Sequence, residues 1–275
     1  MRNAARCLLA ALALLLTVGP EFASHGYADQ DRDHILSAPD RNHRLGTDSL
    51  GRDNVARFLY GGRLSMGMAA LAALAACAIA AVIGTAAALG GPMARAAGSA
   101  AFDVMLSTPW YLLVFLVRAI LPLDSPPMAT AAVTFAILGL VGWAQGARTI
   151  RDAVLRMANG SWVRQARAAG FGGFALLRKH IVPNLLPLLQ TQFLLLLPAL
   201  LLGEATLGML GLGIPEPLPS WGGSLVELVQ SSTIADRPWA LIPAVLLALA
   251  SIGLRTVAGD APGTKSSRRK EVVFG

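Results

Sequence analysis

Trp162-Val163-Arg164-Gln165-Ala166-Arg167-Ala168-Ala169-Gly170 and, just beyond it, Arg178-Lys179-His180-Ile181-Val182-Pro183-Asn184 form a basic, glycine-hinged connection between two apolar segments. Four Arg/Lys within so short a stretch cannot sit in hydrocarbon, where each buried charge is costly. The connection therefore lies at a membrane surface, free to touch a soluble partner. Its flanks are apolar enough to be helices that cross the bilayer. The fold class that follows is an all-α, polytopic membrane protein with a helical loop exposed in the cytoplasm.

Composition agrees. Of 275 residues, 55% are hydrophobic and 14% charged, against about 25% charge in ordinary soluble domains. The net charge of +7 could suggest nucleic acid, but 15 of the 23 Lys/Arg fall in segments assigned here to the cytoplasm. The positive-inside bias accounts for them without a nucleic-acid partner. Cys7 and Cys77 both lie in apolar runs, as small packing residues rather than a disulfide or a metal pair.

A crossing helix needs about 20 apolar residues. Six segments qualify, at roughly 6–23, 63–90, 99–121, 128–148, 184–209 and 239–257. The first is the shortest, running from Cys7 to Val18 before Gly19-Pro20-Glu21. Arg2 and Arg6 would also suit the n-region of a signal peptide, but Glu21-Phe22-Ala23 is a poor cleavage site. An uncleaved first helix is the reading adopted.

The division that follows is a first helix with a periplasmic segment (1–62), a transmembrane unit (63–258) and a basic cytoplasmic tail (259–275). Arg148 to Lys179 carries seven Lys/Arg against Asp152 alone, and the tail adds Lys265, Arg268, Arg269 and Lys270. Gly203 to Pro238 instead carries Glu204, Glu216, Glu227 and Asp236 against Arg237. Both termini and the basic loop are thus expected inside, as six spans require. In the second span, Ala69, Ala73, Ala76, Ala80 and Gly84 recur at three- or four-residue steps, a spacing that lets a neighbouring helix pack closely.

Three segments together carry a resemblance. Arg44-Leu45-Gly46-Thr47-Asp48-Ser49-Leu50-Gly51-Arg52-Asp53, with Arg57-Phe58-Leu59-Tyr60-Gly61-Gly62-Arg63-Leu64-Ser65 after it, resembles the stretch before the second helix of peptide-import permeases. The basic loop resembles the EAA loop of binding-protein-dependent ABC importers. Gly203-Glu204-Ala205-Thr206-Leu207-Gly208-Met209-Leu210-Gly211-Leu212-Gly213-Ile214-Pro215, then Pro219-Ser220-Trp221-Gly222, is similar to the stretch after their fifth helix. Over about residues 43–257 the chain resembles the dipeptide/oligopeptide/nickel permease family, in its C-type subunit.

The resemblance implies a permease subunit of an ATP-driven importer in the inner membrane. Its partners would be two ATP-binding cassette subunits, a second permease, a periplasmic substrate-binding protein and membrane lipid. Cargo would be di- or oligopeptides, nickel or related small solutes. The loop would plug into a cleft on the ATPase, a role carried to Ala166, Gly170 and Pro183. Arg164 and Arg167 would rim an acidic or polar groove, small Ala169 would permit close docking, and Asn184 follows Pro183 into the next helix. His180 stands at a family-typical position and reads as a structural contact. One departure stands out: Arg164 and Gln165 replace the usual Glu and Ala at the loop's opening.

Other residues stand out by their chemistry. Asp48 and Asp53 can cap local turns and helices, and Arg52 can pair with either. Gly46, Thr47, Asp48, Gly51, Arg52 and Asp53 therefore read as a lid or elbow on the outer face, with contact to the binding protein as the functional alternative. Asp103 and Glu204 are the candidate pathway or gate residues, since acids in spans should face protein or water. Trp221 is expected at the membrane interface as an anchor. His25, His34 and His43 show no ligand spacing, so no metal is expected.

No Gly-x-x-x-x-Gly-Lys-Ser/Thr, His-Glu-x-x-His or Gly-x-Ser-x-Gly pattern occurs. The chain should bind no ATP or other cofactor itself, ATP being left to partner subunits, and no catalytic site is evident. The alternative is a self-contained channel or secondary transporter working without an ATPase; such proteins usually show internal repeats, and none is found.

Overall fold

Twenty apolar residues suffice to cross a bilayer, yet two helices here exceed thirty. The computed structural model describes residues 2–120, 122, 125–160, 165, 173–230 and 238–259. Within them the order is α1 (Arg2–Val18), a 3-10 turn (Gly19–Phe22), an irregular segment to residue 53, α2 (Asn54–Leu89), α3 (Gly91–Ser107), α4 (Trp110–Ile120) and α5 (Pro127–Ala158). A short turn (Gly173–Leu176) and a π-helical turn (Leu177–Ile181) then lead into α6 (Val182–Met209), α7 (Trp221–Gln230) and α8 (Ile242–Gly259). With no strand among the described residues, the chain is all-α, as expected.

Five helices are long and apolar enough to cross a membrane, and α3 with α4 form a sixth, broken crossing bent by 79°. The segment 99–121 is therefore not one straight span. Thr108 is extended (φ −80°, ψ 124°) because the following Pro109 excludes the helical region for its predecessor and offers no N–H.

Contacts fix the direction of each helix. Leu16 and Leu59 lie against Gly62 and Gly19 respectively, so α1 and α2 are antiparallel. Gly139 meets Ala72, and Gly84 meets Ala147 and Ile150, so α2 and α5 run parallel. Cys77 faces Leu189 and Ser65 faces Glu204, so α6 returns against α2. Trp239 beside Gly46 and Gly253 beside Leu9 set α8 running back along α1. Counting α3–α4 as one crossing, both ends of the described chain and the connection after Ala158 fall at one end. The segment before α2 lies at the other, and is called the lid below.

The principal seam joins α2 to α5. The small-residue stripe does what its spacing predicts: Ala69, Ala73, Ala76 and Ala80 are essentially inaccessible. A Cβ on Gly84 would sit 2.5 Å from the Ala147 carbonyl oxygen. Such backbone approach supplies dispersion contact where lipid offers no hydrophobic drive. Away from the seam, Leu71, Val82 and Leu140 are exposed, an apolar surface that suits lipid. The first helix joins the same core, burying Leu12 and Leu16 in the cluster that holds Leu247 and Leu254.

The glycines after Leu202 do not break the helix, which ends where the span 184–209 was expected to end. Helix α6 runs through Gly203 and Gly208 and stops at Met209. There Gly211, at φ +75°, takes the left-handed position that closes a helix, and Leu212 N–H returns to the Leu207 carbonyl at 2.8 Å.

Candidate functional site

At the lid end, the chain between α1 and α2 is folded by its own side chains. Gly46 and Gly51 take positive φ (+65° and +76°), a region that glycine enters without a Cβ penalty. Both are also crowded: a Cβ would lie 2.3 Å from the Ser37 carbonyl oxygen at Gly46 and 2.0 Å from that of Asp31 at Gly51. Thr47 ties the same turn to residues 34–37: its hydroxyl donates to the His34 carbonyl and accepts from Ser37 N–H at 2.9 Å.

Asp48 is the hub. One carboxylate oxygen accepts from the backbone N–H of Leu50 (2.8 Å) and Arg52 (2.9 Å). The other meets Arg52 Nε at 2.6 Å and Arg57 Nε at 3.2 Å. Both guanidinium groups then reach Glu216, 159 or more residues away. Arg52 grips it in a two-pronged pair, and Arg57 Nη2 stands 3.1 Å from Oε1. Asp53 caps α2, its Oδ2 accepting from Ala56 N–H at 2.9 Å, while Asn54 Nδ2 donates to the Leu45 carbonyl at 2.9 Å. Ser49 Oγ meets Glu227 Oε1 on α7 at 3.0 Å.

The electrostatics follow. Burial alone would raise the Glu216 carboxyl, but the Arg52 hydrogen bonds and the nearby Arg57 charge outweigh it and hold it below the usual range. Burial works against the Arg52 guanidinium, but Glu216 and Asp48 leave it more firmly charged than usual. The six residues singled out from sequence thus converge on one structure, a latch between the lid, α2 and the loop before α7. Reading the sequence singled out neither Arg57 nor Glu216 as its partners. A lone arginine on the first turn of a long apolar helix, and a lone acid in a Gly/Pro-rich loop, were the available signals.

Beneath the latch lies a second polar point. Glu204 of α6 is 1% exposed. Its Oε2 accepts from Gly222 N–H at 3.1 Å and from Ser65 Oγ at 3.4 Å, while Ser65 Oγ accepts from Trp221 N–H at 3.2 Å. The acid therefore pins the start of α7, whose first N–H groups need acceptors, to α2 and α6. It lines neither of the two cavities described next. Trp221 is not at an interface: it is 1% exposed and its indole N–H donates to the Phe58 carbonyl at 3.2 Å. The sequence misled because an indole beside a Gly/Pro-rich loop suits a membrane surface equally well, and its acceptor lies on another helix.

Two cavities flank α2. One, of about 290 Å³, lies between α2, α5 and α6 and is lined by Cys77, Gln145, Thr149 and Gln192 among small residues. The other, of about 670 Å³, opens beside the lid between Tyr27, Tyr60, Arg63, Met68 and Pro219. At the opposite end Asp103 pairs with Arg148 of α5, and Arg151 donates to Ser99 Oγ at 2.6 Å while lying over the Phe102 ring.

The basic loop is only partly in view. Arg164, Ala166, Arg167, Ala169 and Gly170 lie outside the described residues. His180 falls in the π-helical turn before α6. Pro183 sits in the first turn of α6, as expected where a missing N–H costs nothing, and Asn184 follows it exposed. Histidine spacing gave no ligand pattern, yet folding brings His25 and His43 together with Asp53.

With this geometry in hand, comparison places the chain among known proteins. It is 30% identical over 254 residues (92% of this chain, 81% of the relative) to the dipeptide transport system permease protein DppC of Alkalihalophilus pseudofirmus. With the protein of that name from Bacillus subtilis (strain 168) it shares 31% over 215 residues, 78% of this chain and 65% of the relative. With the oligopeptide transport system permease protein OppC of Escherichia coli (strain K12) it shares 30% over 237 residues, 86% of this chain and 76% of the relative. Residues 80–259, the stretch that holds the end of α2, the basic loop and the helices on either side of it, match one family throughout, and the chain belongs to it: the binding-protein-dependent transport system inner membrane components.

Proposed function

We propose that the chain is one of two membrane-spanning subunits of an ATP-driven importer that carries di- or oligopeptides inward. The observation that carries this reading is membership of the family across residues 80–259, a stretch that contains the basic loop. The peptide class rests on the names of the relatives. ATP would be bound by two partner ATPase subunits, a second permease would complete the pore, and a binding protein would deliver the cargo.

The excess of Lys/Arg in the basic loop orients the molecule. Both termini and the loop face the cytoplasm; the lid faces the periplasm. ATPase closure would act on the knob around Gly170, with Ala166 and Ala169 in the docked face and Arg164 and Arg167 on its rim. The load reaches the membrane through Pro183 at the head of α6 and through the end of α5. Alternating access is then a two-state equilibrium whose populations ATP shifts.

The Asp48–Arg52–Arg57–Glu216 latch supports a structural lid closing the outer end, with Glu204 as the pin beneath it. Capture of the chain from its native membrane in mild detergent tests the assignment. Co-recovery of a second permease and one or two P-loop ATPases is expected; a folded chain that reproducibly comes out alone would overturn it in favour of a self-contained channel. Gly170→Trp should abolish uptake while leaving the assembled complex at its normal level.

A further inference from the structure

Three of the four histidines in the chain fall between residues 25 and 43, and the lid gathers them. His25 and His43 rings stack at 4.7 Å, and His34 lies 6.1 Å from His43 between ring centroids. One ligand atom from each of His25, His43 and Asp53 lies within 4.8 Å of the others. His43 and Asp53 are buried, at 4% exposure each. His43 Nδ1 stands 3.3 Å from Asp53 Oδ1. That is the spacing of two ligands about 2.0–2.2 Å from one ion.

Each donor is held for another reason than its neighbour. Asp53 commits Oδ2 to the α2 cap, leaving Oδ1 turned to His43. Behind the ring, His43 Nε2 faces Asp31 Oδ2 at 3.7 Å, and Asp31 is itself tied to His34 Nδ1 at 2.8 Å. A carboxylate behind a ligating imidazole fixes its tautomer and orientation, the usual supporting arrangement at metal sites. Independently, His25 Nδ1 is buried and has no hydrogen-bond partner. A buried polar nitrogen without one is costly, and a metal ion would satisfy it.

We propose that His25, His43 and Asp53 bind one divalent transition-metal ion of the Zn²⁺ class, with Asp31 orienting His43. Two imidazoles and a carboxylate suit such ions rather than Ca²⁺ or Mg²⁺, which prefer all-oxygen shells. Three protein donors leave a fourth position for water or an incoming ligand. The ion would join the chain just after α1 to the first turn of α2 and so clip the lid shut. Nothing in this depends on the transport reading.

The test uses the full chain carrying a tag without histidine, in lipid nanodiscs, stripped with chelator and titrated calorimetrically with ZnCl₂. One saturable equivalent is expected, with MgCl₂ giving none at the same concentration. His25→Ala should weaken Zn²⁺ binding at least tenfold. Its Nδ1 has no hydrogen-bond partner to lose and only the ring contact with His43 goes, so its metal-free melting temperature should stay close to that of the parent and report any misfolding. His34→Ala should bind within about threefold of the parent. Absence of saturable binding in the parent overturns the site, as does binding that survives His25→Ala or that falls equally with His34→Ala.

Discussion

The lid and the α2–α5 seam both hold α2, by opposite chemistry. Among the described residues the seam shows no side-chain hydrogen bond or ion pair: alanine and glycine let two backbones touch, and each contact is weak, short-ranged and insensitive to salt or pH. The lid uses almost nothing else: two arginines, two acids, two left-handed glycines and a cap gather at the head of α2. The difference reflects solvent. In hydrocarbon a charge is unaffordable and backbone proximity is what remains; outside it, charge pairs give direction and can be undone.

Predictions that break this comparison can be ranked by size. Trp221→Ala strikes where the two regions meet, emptying a fully buried ring site and removing the indole bond to the Phe58 carbonyl. A loss of about 3–5 kcal/mol is expected, seen as failure to recover monodisperse protein from detergent. Arg52→Ala leaves buried Asp48 facing Arg57 alone and releases half the grip on Glu216; a loss of about 2–4 kcal/mol is expected. It should appear as protease cutting between residues 31 and 53, with α5 still protected. Gly84→Leu forces a side chain against Ala147 and Ile150 and should cost about 1–3 kcal/mol. The signature is reversed: a lower melting temperature with the lid still resistant to protease.

The smallest effects sharpen the contrast through pH. Glu216 titrates below its ordinary value when folded, so its contribution is complete above the unfolded value of about 4.3 and is lost as pH falls through the lowered folded one. Acidification below about pH 4.3 should therefore loosen the lid while the seam stays indifferent. Hydrogen exchange, corrected for its intrinsic pH dependence, should show protection falling in residues 45–57 and not in 72–84; equal loss in both would refute the division. His34 has the opposite sign. Its hydrogen bond to the Asp31 carboxylate raises its pKa, so its support is present below about pH 6.5 and fades as pH rises through the raised folded value. That exposed pair should move exchange near residues 31–34 only slightly.

How far the sequence was legible follows the same line. Local signals read well: the stripe from Ala69 to Gly84 packs as its period demands, Asp53 caps as an Asp before an apolar run should, and Pro183 opens its helix. The lid residues from Gly46 to Asp53 announced a turn because glycine and aspartate say so in any context. What failed was long-range. No pattern shows that Arg52 and Arg57 share Glu216 across more than 150 residues, that Trp221 finds the Phe58 carbonyl, or that His25 comes to rest on His43. The bend after Ser107 lies between these cases: Pro109 marked it locally, but the apolar run around it masked the mark.

The parallel course of α2 and α5 has a mechanical meaning. Helix α2 has 36 residues, about 54 Å at 1.5 Å per residue, far more than the hydrocarbon core alone requires. One end carries the lid and the other lies alongside the part of α5 that leads into the basic loop. Joined by close backbone contact at Gly84 and Gly139, the two helices are placed to move together. A displacement applied at Ala158 would be expected to pass along these contacts toward Asp53.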